Sequence, residues 1–125
     1  PCLFFAPKHF SPKMVETRTS QIDVLPTILG LLGISYESCF YGIDQIHETA
    51  DRPVVLGTYQ RLGYFAKDEM VILSPKREVN TYRIAKEGFN ELNPKDSKFL
   101  NEAIGVYQSA SERYTQGLMD ETIID

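Results

Sequence analysis

The apolar residues of this chain change their period twice, and that limits the folds open to it. Between residues 23 and 32, Leu25, Ile28, Leu29 and Leu32 recur at three- and four-residue intervals, as on one face of a helix. From 53 to 85 the spacing tightens into short runs rich in Val, Ile, Tyr and Phe, broken at Arg61-Leu62-Gly63 and at Ser74-Pro75-Lys76. Beyond Asn93-Pro94-Lys95-Asp96 the helical spacing returns through Phe99, Leu100, Ala103, Ile104, Tyr107, Ala110 and Tyr114. A helix, a block of strands and a second helix make an α+β chain. The expected elements are a helix over 23–32, a small antiparallel meander over 53–85 with strands at 53–59, 63–74 and 81–85, and a long helix over 95–115.

Local punctuation sharpens the first helix. Pro26 is acceptable only in a first turn, where no N–H partner is required, which makes Asp23 the expected N-cap. Gly33 stands where a left-handed C-terminal residue is wanted. Gly30 and Gly33 share the spacing of membrane helix dimers, but in so short a helix they are read as allowing close packing and termination. Residues 34–53 read as a connecting loop with room for one short helical turn.

Residues 3–6, Leu3-Phe4-Phe5-Ala6, form a continuous apolar run closed by Pro7, the pattern of a strand buried on both faces of a sheet. Such a strand needs neighbours and covering helices, so the chain is expected to begin partway through a larger fold, with 1–125 as a single domain within it. No repeat, low-complexity tract or linker marks a second domain.

Composition excludes several classes of function. A formal net charge of -4, with Lys and Arg scattered, leaves no basic footprint for nucleic acid. The longest apolar stretch, from 28 to 34, falls far short of the roughly 20 residues of a membrane span. Cys2 and Cys39 make neither a disulfide framework nor a zinc site, and do not fix the compartment.

Catalytic motifs are missing. His47-Glu48-Thr49-Ala50-Asp51 has the start of a zinc-protease motif, but Asp51 stands where the second His belongs and Arg52-Pro53 opposes a helix. His9, between Lys8 and Phe10, reads as a solvated loop residue. There is no phosphate-binding glycine loop, nucleophile elbow or Cys-x-x-Cys. Tyr59, Tyr64, Phe65 and Tyr82 could line a groove, but a sheet face packed on the last helix explains them more simply.

The stretch from Thr19-Ser20-Gln21-Ile22-Asp23 through Pro26-Thr27 to Gly33 resembles a segment shared by sulfatases and their relatives in the alkaline phosphatase superfamily. Three further stretches resemble the lipoteichoic acid synthase and phosphoglycerol transferase branch. They are the apolar run ending in Ala6-Pro7, the stretch Phe40-Tyr41-Gly42-Ile43-Asp44, and Ala103-Ile104-Gly105-Val106-Tyr107-Gln108-Ser109-Ala110-Ser111.

The resemblance implies the C-terminal part of an α/β sulfatase-like fold. It implies a parent acting on sulfate or phosphate esters with a divalent metal (manganese, magnesium, calcium or zinc) and a Thr or formylglycine nucleophile. It further implies membrane anchoring through the parent's N-terminal region, with the catalytic domain outside the cytoplasm. The expected partner is the remainder of that domain upstream of Pro1, and no nucleic acid. This chain has no Asp-His pair and no Cys-x-Pro-x-Arg setting, so no catalytic, cofactor-binding or metal-binding residue is carried over. Asp23 and Thr27 match the motif as structural positions, and the isolated chain is expected to be inactive. The competing expectation is an autonomous binding module whose meander and last helix recognise a glycan, a lipid headgroup or a protein.

Overall fold

The structure, a computed structural model, describes residues 2–39, 41–48 and 51–119. Its elements run α1 (Val24–Leu31), β1 (Val54–Gly57), β2 (Leu62–Ala66), β3 (Glu69–Ser74), β4 (Glu78–Ala85), β5 (Gly88–Leu92) and α2 (Leu100–Thr115). The strands form one antiparallel sheet in chain order, β1-β2-β3-β4-β5. The class is therefore α+β, and the meander has five strands rather than three.

Two local features account for the extra strands. The run expected as one strand over 63–74 is folded back on itself at Lys67-Asp68, where Ala66 pairs with Glu69. Lys67 takes a positive φ of 51° there, a conformation usually signalled by Gly or Asn, so the sequence carries no turn signal. In β5, by contrast, Gly88-Phe89-Asn90-Glu91-Leu92 has almost no apolar alternation, and every residue but Leu92 is exposed. It is an edge strand held by its ladder to β4 rather than by burial.

Alternation along the strands puts Tyr64 and Val71 on one side of the sheet, paired across β2 and β3. With Ala66 and Ala103 they form the buried core, and Val55, Leu73, Val79, Phe99, Leu100 and Val106 pack around it. Helix α2 thus lies on one face of the sheet. It begins at Leu100, not near 95, because Ser97 is extended and Glu69 holds the approach. The Glu69 carboxylate, 2% exposed, accepts from Ser97 Oγ, the Lys98 N–H and Arg83 Nη2, each at 3.2 Å.

Helix α1 ends as its sequence predicts. Gly33 has φ 66°, its N–H donates to the Gly30 carbonyl, and the Ile34 N–H donates to the Leu29 carbonyl, both at 3.0 Å. These two bonds are the Schellman pattern. The strand expected over 3–6 is not paired: no ladder joins it among the described residues, and Leu3 and Phe5 are 86% and 84% exposed. Strand structure needs a neighbouring backbone, and α1 is an apolar surface but not a ladder.

Candidate functional site

The residues that carry the motif converge on one buried polar knot. Asp23 is 1% exposed and stands at the N-cap position of α1, as its sequence position suggests, but its side chain makes no cap hydrogen bond to that helix. A 3₁₀ turn, Gln21–Asp23, precedes α1, and Ser20 caps it in extended conformation. Asp23 therefore sits one turn in, with helical φ and ψ, and its carboxylate points back toward the start of the turn. Oδ2 accepts the Ser20 N–H at 2.7 Å, Oδ1 accepts the Ile43 N–H at 3.0 Å, and Arg52 Nη2 completes an ion pair with Oδ1. Arg52 Nη1 also donates to the Tyr41 carbonyl.

Thr27, one turn on, does the same work with a hydroxyl. Its Oγ1 donates to the Asp23 carbonyl at 2.7 Å and accepts the Gln45 N–H at 3.1 Å. Asp23 and Thr27 together thus clamp residues 41–45 onto α1. Two glycines let the loop come close. A Cβ on Gly30 would overlap the Asp44 carboxylate, and a Cβ on Gly42 would overlap the Ile22 carbonyl. The Asp-x-x-Pro-Thr pattern and the Gly-x-Asp pattern are two halves of one joint; Phe40, at the head of the second, lies outside the described residues.

Asp44 ties the far end of that loop. Its Oδ1 accepts the Ile46 N–H at 2.8 Å, and its Oδ2 lies 2.5 Å from His47 Nδ1. Burial raises the Asp44 pKa, but the hydrogen bonds from His47 and Ile46 outweigh it and hold the carboxyl below 3.8. The loop also reaches α2, where the Tyr41 hydroxyl and Ser109 Oγ are 2.9 Å apart.

The other residues singled out from the sequence are not all brought together. His9 is exposed in a turn closed on the Ala6 carbonyl. His47 is exposed and engaged with Asp44, while Thr49 and Ala50 of its motif lie outside the described residues. Cys2 and Cys39 are free thiols. Tyr59 is 98% exposed in the β1–β2 turn, and Tyr64 lies under α2. Phe65 alternates to the opposite face, where Arg18 stacks on its ring at 4.3 Å. Tyr82 pairs with Met70, which pairs with Phe65, so Phe65 and Tyr82 share that face while Tyr64 lies on the other.

Sequence reasoning missed Arg52 and Gln45, whose partners lie 29 and 18 positions away. Nothing in their local sequence announces either. Among the described residues no group of three or more His, Cys, Asp or Glu side chains is arranged to hold a metal ion.

No family model and no curated protein matches the chain. Among solved structures, it is similar to a protein in the alkaline phosphatase superfamily from Vibrio parahaemolyticus, with a TM-score of 0.67 and 24% identity. The match covers 80% of this chain and 25% of that chain, so this chain spans about a quarter of its neighbour's length. At this level of identity the likeness establishes a shared fold.

Proposed function

We propose that this chain is the C-terminal segment of a metal-dependent sulfatase-like hydrolase or phosphoglycerol transferase, a part that braces the catalytic domain without holding the reacting groups. The observation that carries the reading is the shared fold with part of an alkaline phosphatase superfamily protein, over 80% of this chain. Asp23 and Thr27 of the motif support it, because both side chains are engaged in the fold, as is the buried Glu69 outside the motif. The Asp23 carboxylate is shared between Arg52 and two backbone N–H groups, and Glu69 between Arg83, Ser97 and Lys98.

A divalent ion of the manganese, magnesium, calcium or zinc kind does not fit this donor set. Hard cations need several carboxylate oxygens free to converge on one point and zinc needs imidazole or thiolate ligands held together, whereas here each buried carboxylate is already bonded to cations and N–H donors and no cluster of His, Cys, Asp or Glu forms among the described residues. The ion and the nucleophile belong to residues outside this segment, and no step of the reaction is routed through it. In the same reading the parent is anchored to the membrane by its N-terminal region with its catalytic domain outside. In this segment, no helix among the described residues is long and apolar enough to cross a membrane. The binding-module alternative would have to rest on Phe65 and Tyr82, which share one face of the sheet, since Tyr64 is buried on the other.

The test is turnover of aryl phosphates, aryl sulfates and phosphatidylglycerol analogues in each of the four metals. The protein made from its full reading frame is expected to act on one of these classes, and the 125-residue chain on none. Stoichiometric metal on the 125-residue chain, with turnover abolished by His47→Ala, would sink the reading.

A further inference from the structure

The sheet has two outer strands, and only one of them is closed off. β1 is four residues long and follows Pro53, which has no N–H, and the Val55 carbonyl accepts Ser20 Oγ at 2.5 Å. Shortness, proline and a covering segment are the usual ways of protecting an edge from other backbones. β5 has none of them. Its five residues, Gly88-Phe89-Asn90-Glu91-Leu92, contain no Pro or Lys, and its register to β4 runs from Ala85 opposite Gly88 to Thr81 opposite Leu92 without a bulge. Residues 88–91 are exposed, Phe89 at 67%. A strand paired on one side keeps a row of N–H and C=O groups pointing outward, so β5 offers that row to an extended backbone.

The free strand that this molecule itself supplies is β5, and β5 is complementary to itself. Placed antiparallel about a twofold axis through Asn90 and perpendicular to the sheet, all five residues find an opposite: Gly88 meets Leu92, Phe89 meets Glu91, and Asn90 meets its own copy. An axis one residue earlier turns Glu87 toward Glu91, and one residue later sets Glu91 against itself. Like charges directly opposite are destabilising, and the Asn90 register avoids both pairs. It also brings the two Phe89 rings into diagonal reach across the joint, on the face that already carries Phe65, Tyr82 and Ile84. Each exposed ring is then covered by its own copy. Because β1 is closed, this pairing occupies the one open edge of the sheet among the described residues, so the assembly stops at two chains instead of growing into a fibre.

We propose that this chain forms a twofold dimer in which β5 of each copy pairs antiparallel with β5 of the other about Asn90, joining the two sheets edge to edge with both α2 helices on one face. The interface goes beyond the function proposed above and does not rest on it. Sedimentation equilibrium over a dilution series of the 125-residue chain is expected to show dimer giving way to monomer. Amide exchange within 88–92 should slow as the dimer forms. Substitutions at Phe89 test the register. Phe89→Glu sets like charges opposite Glu91 of the second copy and should weaken the dimer; Phe89→Lys sets opposite charges there and should bind about 10-fold tighter than Phe89→Glu. Adding Glu91→Lys to Phe89→Glu should restore the dimer. A chain that stays monomeric throughout overturns the proposal. So does a dimer that Phe89→Glu and Phe89→Lys change equally, since its interface then lies elsewhere. The protein made from its full reading frame should associate through the same strand; a monomeric full protein, or one whose association Phe89→Glu leaves intact, also overturns it.

Discussion

Asp23 shows how far a single residue's role depends on what lies across from it. Position and residue type pointed to an N-cap, whose loss costs about 1 kcal/mol. The buried carboxylate instead holds Arg52 and two N–H groups, and its removal takes the acceptor from both N–H groups and leaves Arg52 only the Tyr41 carbonyl. Asp23→Ala is therefore expected to destabilise the chain by about 3 kcal/mol, near the lower end for breaking a buried pair because Arg52 keeps some contact with water. Urea melts of the two proteins measure it, and a loss near 1 kcal/mol would restore the simple cap. Asp44 adds a pH signature. Its carboxyl is held below 3.8 in the folded chain, so its contribution is present above that value and is lost as pH falls through the lowered one. Asp44→Asn should lower the urea midpoint at pH 7 by an amount worth about 1 kcal/mol. The gap between mutant and parent should then narrow below pH 3.8.

At the scale of elements, the two helices were legible and the strands only partly so. Apolar spacing placed α1 and α2, and Gly33 marked the end of α1, because helix periodicity and termination are local properties. The hairpin at Lys67-Asp68 and the edge strand β5 carry no comparable local signal, since cross-strand pairing holds them. The docking of α2 on the sheet has its own test. The Tyr64 hydroxyl donates to Glu102 Oε2 at 3.0 Å, and burial, with help from that carboxylate, pushes the phenol pKa up to about 12. A raised value means stability that is full below the ordinary tyrosine pKa of 10.0 and is lost as pH climbs from there toward 12. Tyr64→Phe should cost about 1 kcal/mol at pH 7. It should also remove the phenol that titrates near 12 from an alkaline spectrophotometric titration.

For the whole molecule, the uncovered surface sets the expected cooperativity. The urea m-value follows the area exposed on unfolding, and a native state that already exposes 10075 Å² has less left to expose. The 125-residue chain should unfold with an m-value about three quarters of that of a compact domain of equal length. A full-sized m-value would mean that the apolar face is covered in solution. The α+β class, the helix positions and the absence of any catalytic motif could all be read in the sequence, because periodicity, capping and motif spacing act over a few residues. The unpaired state of residues 3–6, the entry to α2 set by Glu69 and the joining of Asp23 to Arg52 were decided only by tertiary structure. Each depends on groups brought together across many positions of chain, and no local pattern encodes which distant backbone, carboxylate or guanidinium will be there to meet them.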